Sequence, residues 1–245
     1  MRIAVISDVH GNLLALESVL ADIAALDVDM TVNLGDLLSG GVQPRQTASF
    51  LMELGLPTLA GNHERQLLTT PIEQMGASDR LAAETITATQ WSWLASLPAT
   101  LEVTEGVLAC HGSPDDDLTY LLETVERTGV RAATEAEVRQ RLGIHTHWSV
   151  VLCGHTHLPR AVRLEHGPLL VNPGSVGWPA YDDDRPYPHA MEAGTPHARY
   201  ALIDDRTGSW KAELRTVEYD WEAAARTAES NARADVARAL RTGRI

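Results

Sequence analysis

Apolar residues in this chain fall into short blocks separated by longer stretches of helical period. Residues 3–6 read IAVI, a β-branched run too short for a helix, so a buried strand is expected there. Asn12 offers an N-cap, and LLALESVLADIAAL behind it places apolar positions along one helix face. Residues 30–34 read as a second strand, a helix is expected after Pro44, and 56–60 read as a third short strand. Pro57 puts that third strand at an edge, or itself at the strand's start. The pattern predicts mostly helix over 64–97, then a hairpin of 101–103 and 107–110 around Glu105 and Gly106. Helix is expected over 117–142 and a strand at 150–153. Alternation at 161–164, 169–172, 200–203 and 210–217 predicts an antiparallel portion, and 220–241 an alanine-rich helix. Residues 178–198, rich in Pro, Asp, His and Tyr, read as a long surface loop.

Strands interleaved with helices predict a layered α/β or α+β protein. No Ser/Gly/Pro-rich linker divides it, so one domain over residues 1–245 is expected. A hydrophobic content of 44% suffices for a core without disulfides, and Cys110 and Cys153 are expected to pack at strand ends. The formal charge of −13 repels polyanions, so neither stable nucleic-acid binding nor a membrane surface is expected as a partner. A phosphate-bearing substrate would need positive charge concentrated locally, as bound cations supply it. The opening MRIAVISDVH shows no cleavage-like site, and no window reaches the ~18 apolar residues of a membrane span, so a cytoplasmic protein is expected.

Metal-capable side chains sit just past the ends of the expected strands. Asp8 and His10 lie in SDVHGN, Asp36 in LGDL, Asn62 and His63 in AGNHE, His111 in ACHGS, and His155 and His157 in CGHTH. A glycine adjoins each group, which allows a sharp turn and close approach to an ion or phosphate. The carboxyl edge of an open sheet is where ligand sites form. A single histidine there is ordinarily a hydrogen-bonded polar residue; five such strand ends together are hard to ascribe to packing. A second HTH at 145–147 precedes the strand that His155 follows, and at ~3.3 Å per residue it falls about 20 Å away. His145 and His147 are therefore expected at the surface. Seven donors, Asp8, His10, Asp36, Asn62, His111, His155 and His157, exceed what one small catalytic ion can use and suit two ions sharing a bridge. Mixed oxygen and imidazole donors favour Mn, placed first, or Fe, Zn, Ni or Co, over Ca and over a thiolate zinc site. Arg65 and Arg160 lie near enough in sequence to reach a phosphate, although solvated arginines are the plainer reading. Asp182, Asp183 and Asp184 read as a charged loop tip, and Trp91 and Trp93 as core or a subunit contact.

In order, D-x-H, GD, GNH, HG and GH-x-H, followed by NPGS at 172–175, resemble the calcineurin-like metallophosphoesterases. The length resembles their small prokaryotic phosphodiesterase branch. The motifs run from Asp8 to Ser175; residues 64–97 and those after 176 lie outside them, and substrate preference is expected to reside there. The resemblance implies a four-layer αββα sandwich of two mixed sheets, with a dinuclear site at the carboxyl ends of the strands. It implies that Asp8, His10 and His157 hold one divalent ion, that Asn62, His111 and His155 hold the other, and that Asp36 bridges them. It implies His63 as the catalytic histidine. The implied reaction is hydrolysis of a small phosphodiester, or a phosphomonoester, by in-line attack of a hydroxide bridging the ions. The alternative is a non-catalytic metal-binding or protein-interaction scaffold on the same fold; such members lose a ligand or the histidine, and here all eight positions are kept. The HxHxDH pattern of the metallo-β-lactamase group is absent. For assembly, a homodimer is the expectation.

Overall fold

Strand β1 (Arg2–Ile6) is apolar on both faces: Ala4 and Ile6 pack towards helices, Ile3 and Val5 towards a second sheet. A continuous apolar run is what a strand covered on both sides requires. In this computed structural model, which describes residues 1–245, the same division recurs along the chain. Helix α1 (Leu13–Ala24) starts at Asn12, whose side chain accepts from the Ala15 N–H, and returns the chain to β2 (Met30–Asn33), parallel to β1. There follow α2 (Pro44–Leu54), α3 (Asn62–Thr69), α4 (Ala77–Thr85) and α5 (Ala88–Leu94), then β3 (Thr100–Thr104) and β4 (Val107–Cys110). Next come β5 (Glu123–Glu126), β6 (Gly129–Ala132), α6 (Glu135–Leu142), β7 (Val150–Leu152), β8 (Arg160–Arg163) and β9 (Leu169–Asn172). The chain ends with β10 (Ala180–Asp183), β11 (His189–Glu192), β12 (Ala198–Asp204), β13 (Lys211–Val217), α7 (Trp221–Ser230) and α8 (Ala234–Thr242).

One sheet has the order β13-β12-β1-β2 and the other β3-β4-β7-β9-β8; both mix parallel and antiparallel pairs. Between them lies a core of Ile3, Val5, Val32, Leu34, Val107, Val150, Leu152, Val171 and Ile203, among others. Helices α1, α2, α4 and α5 cover the outer face of the first sheet, with Trp91 and Trp93 packed at the margin of that layer. Helix α6 covers the second sheet through Val138 and Leu142, against Leu108, Cys110, Val151 and Cys153. Both cysteines are free and buried there. This is the αββα order. No helix is long and apolar enough to cross a membrane.

Four expectations fail for identifiable reasons. Residues 56–60 run beside β2 but make a single bridge, Asn33 to Thr58, because Pro57 has no N–H to continue a ladder. Within 117–142 only α6 is helical. β-Branched Thr124, Val125 and Val130 flank a turn that ends at Gly129 (φ 126°), and they form the hairpin β5–β6. The expected loop 178–198 contains a second hairpin, β10–β11, in which His189 and Met191 are buried while Ala190 and Glu192 face out. The C-terminal helix is two helices, broken at residues 231–233, where Ala232 adopts φ 58°. The break lets Ala224, Ala225 and Ala228 of α7 pack against Val236, Ala237 and Leu240 of α8.

Candidate metal centre

The parallel strands β1, β2, β4, β7 and β9 all release their chains at one edge of the sandwich. Backbone bonds stitch these exits together: Asp8 N–H donates to the Gly35 carbonyl, Gly154 N–H to that of His111, and Val176 N–H to that of Ser7. Five of the chain's seven non-glycine residues with positive φ lie here: Asp8 (57°), His10 (49°), Asp36 (55°), His155 (68°) and His157 (59°). Such conformations cost on the order of 1–3 kcal/mol each and persist where the surroundings enforce them. Close approach also fixes two glycines. A Cβ on Gly154 would lie 2.1 Å from Ser7 Oγ, and one on Gly61 would lie 2.2 Å from Asp36 Oδ1.

All eight singled-out side chains converge. Asp8, His10 and His157 form one trio of donors, and Asp36, His111 and His155 a second, each with ligand atoms within 4.8 Å of one another. Asp36 Oδ2 lies 3.1 Å from His111 Nε2 and 4.0 Å from His10 Nε2, so it spans the two trios. Asn62 Oδ1 lies 3.1 Å from His111 Nε2. His10 and His111 turn their Nδ1 atoms to the carbonyls of Ser39 (2.5 Å) and Leu34 (2.8 Å), which fixes Nε2 as the inward atom. Two observations show that the set fits cations. Asp8 Oδ1 is buried without a hydrogen-bond donor, and the Nε2 atoms of His10 and His157 face each other at 2.9 Å beside it. A buried polar atom left unpaired costs about 1–3 kcal/mol, which a divalent ion would relieve.

Electrostatics sort these groups. Burial, reinforced by His157, pulls His10 down to about 3; burial, reinforced by His111, pulls His155 down to about 4. Both imidazoles are thus neutral and keep a lone pair. Burial opposes charge on Asp36 as well, but His111 and His63 hold it well below the usual carboxylate range. His111 is carried up to about 10 by Asp36, against burial, so a proton sits where a cation would.

His63 stands beside this set. Its Nδ1 bonds Asp79 Oδ1 at 2.6 Å, which leaves Nε2 as the exchangeable position. Burial works against the charged ring, yet Asp36 and Asp79 raise it to about 9. Its backbone N–H donates to Asp36 Oδ1 (3.0 Å), tying it to the bridge between the trios. Beneath it the buried Glu64 accepts from the backbone N–H groups of Asp36, Leu37 and Gly61, at 2.8–2.9 Å. These bonds lock the loop after β2 onto the start of α3.

The cavity over the centre is about 310 Å³ and is also lined by Trp178, Tyr181, Asp182, Asp183, Arg233 and Asp235. Arg65 and Arg160 do not reach it: Arg65 forks onto Asp117 (2.6 and 2.8 Å) and Arg160 bonds the buried Glu123 (2.8 Å). The arginine on the cavity wall is Arg233, bonded to Gly40 O, Ser78 Oγ and Asp235, with Trp178 beneath it. His145 and His147 lie in a short turn, residues 143–147, and belong to neither trio. Reading by sequence missed Glu64, Asp79, Trp178 and Arg233. The G-x-x-E spacing at the start of α3 carried a signal for Glu64; no local pattern marks the others.

Two mixed sheets between helices, with oxygen and imidazole donors at one edge, define the metallophosphoesterase fold. The sequence profile of the calcineurin-like phosphoesterase superfamily domain matches residues 1–191. The chain belongs to that superfamily. It is 27% identical over 236 residues to the uncharacterized protein MJ0912 of Methanocaldococcus jannaschii, covering 89% of this chain and 88% of that one. In structure it resembles a metallophosphoesterase from Sphaerobacter thermophilus (TM-score 0.73, 23% identity, 97% and 99% of the two chains). It also resembles the hypothetical protein PH1004 from Pyrococcus horikoshii (TM-score 0.80, 18% identity, 99% and 98%). The family implies divalent metal ions as cofactors.

Proposed function

We propose that the protein is a metal-dependent phosphoesterase that cleaves phosphodiesters, and phosphomonoesters as secondary substrates. The observation that carries this reading is His63, held by Asp79 at the rim of two donor trios that share Asp36. Asp8, His10 and His157 hold one divalent ion in this reading, Asn62, His111 and His155 the other, with Asp36 between. Mn is the first choice of metal, with Fe, Zn, Ni or Co behind it, because the donors are hard oxygens mixed with imidazoles. Two such ions supply an activated water and draw charge from the phosphoryl oxygens as it is attacked in line. The chain's own part is positional and protonic. His63 keeps a proton at Nε2 and delivers it to the departing alkoxide oxygen. Asp79 holds the opposite nitrogen, so the ring presents that proton in one orientation. Arg233, on its Trp178 shelf, is paired with Asp235 and so gives the cavity wall a fixed shape rather than a net charge. One domain over residues 1–245, a cytoplasmic setting and a homodimer complete the reading; the packing of α8 beside Val42 supports the first of these.

The test is to measure metal content and the hydrolysis of bis-p-nitrophenyl phosphate and p-nitrophenyl phosphate with added Mn²⁺. About two ions per chain with diester turnover is expected. Bound metal with no turnover of either ester would favour the scaffold reading. His63→Ala should keep its metal and lose about 10²–10⁴-fold in rate on esters with poor leaving groups. A wild-type rate on such an ester rejects His63 as proton donor.

A further inference from the structure

A second cavity, of about 600 Å³, opens beside the first, and Leu118, His155 and Asp183 line both. Nothing in the hydrolytic scheme occupies it, and a substituent on a phosphoryl group seated at His155 has a way into it past that residue. The hairpins β5–β6 and β10–β11 supply much of its wall, through Val125, Asp183 and the turn residues Arg185 and Pro186. Tyr120 lines it as well. That ring lies 5.0 Å from the His155 ring, and its hydroxyl is fixed by Tyr181 and His189, each at 3.1 Å. The ring is a rigid flat surface of the kind that accepts another flat group.

Charge decides what that group is. The guanidinium of Arg141 is consumed by the carbonyls of Tyr120, Leu121 and Glu123 and by the Thr124 hydroxyl. Arg160, behind the wall, bonds Glu123 through Nε, and the second oxygen of that carboxylate is buried without a partner. Arg141 keeps its charge, since none of its partners is a carboxylate, and Arg185 is the second lining cation; the carboxylates of Glu123 and Asp183 face them across the same lining. With two guanidiniums balanced by two carboxylates and the donors of Arg141 already bonded, this cavity holds no excess positive charge for a second phosphate. It suits an uncharged planar group that carries hydrogen-bond donors. A cavity of this size is in the range that encloses a small organic ligand.

We propose that the cavity is a subsite for the nucleoside moiety of a nucleoside phosphodiester, with its base stacked on Tyr120. The proposal rests on the phosphoesterase reading for the seat of the phosphate. The experiment compares the p-nitrophenyl ester of thymidine 5′-monophosphate with methyl p-nitrophenyl phosphate, in the wild type and in Val125→Trp, which fills the far wall. The ratio of kcat/KM, nucleoside ester over methyl ester, should fall by about 5–150-fold, as expected when stacking worth about 1–3 kcal/mol is lost. A ratio within twofold of wild type overturns the proposal while leaving phosphoesterase activity intact. Thr119→Trp, on another wall, replaces Val125→Trp if the latter does not fold. If the wild type cleaves neither ester, the phosphoesterase reading fails, and calorimetric titration of the Mn²⁺-supplemented protein with AMP decides the subsite alone. Binding at least tenfold tighter to wild type than to the variant supports it; equal binding, or none, overturns it.

Discussion

Asp79 has no side-chain partner among the metal donors, only the far nitrogen of His63. Its effect on the reaction is therefore expected to pass through that ring. Asp79→Asn should lower kcat about 10–100-fold, the usual cost of losing a group that orients a functional histidine, with metal content and KM little changed. A parallel loss of metal, measured on the purified variant, would show a structural role instead. At this scale the sequence is uneven. Asp8, His10, Asp36, Asn62, His63, His111, His155 and His157 stood out because each lies in a short glycine-flanked motif. Asp79 and Arg233 lie on α4 and at the α7–α8 break, where their neighbours carry no comparable pattern, and only folding brings them to the centre. Arg65 and Arg160 misled because nearness in sequence said nothing of Asp117 and Glu123, which claim them.

Elements with one strong period were legible and those with mixed signals were not. Strands covered on both faces, such as β1 and β7, announce themselves as short apolar runs. The hairpins β5–β6 and β10–β11 do not. Each is a two-stranded ribbon of polar and half-buried residues, stable only because it is docked on the rest, so tertiary packing overrides a weak local pattern. Helix α6 shows the opposite case. Thr134 accepts from the Glu137 N–H, while Glu137 accepts from the Thr134 N–H, so a complete capping box starts the helix behind the hairpin. Thr134→Ala should cost about 1 kcal/mol of stability, read as a lower urea midpoint at unchanged slope. A midpoint equal to wild type would mean that packing of Val138 and Leu142, not the cap, sets the start of α6.

In the whole molecule, the proposed donors come from loops of both sheets, so bound ions would bridge the two halves of the sandwich. Ligands that bind only the native state stabilise it. Chelation of the Mn²⁺-loaded protein should lower Tm by about 10–20 °C, taking two ions each present at a hundred times its Kd. No change in Tm on chelation would detach the ions from folding. The αββα order came with the family motifs and not from periodicity, because β1 takes β12 as its neighbour, with Arg2 opposite Asp204. No local pattern announces a partner that distant.

That pairing has a temporal consequence for the living cell. A nascent chain still short of residue 198 has made the first aspartate and the last histidine of the motif series, yet it lacks the strand that seats β1 beside its antiparallel neighbour. Contacts that distant close late, after synthesis has delivered both ends. Asp8, at the exit of β1, would thus take its final seat only once residues 198–204 have joined the sheet.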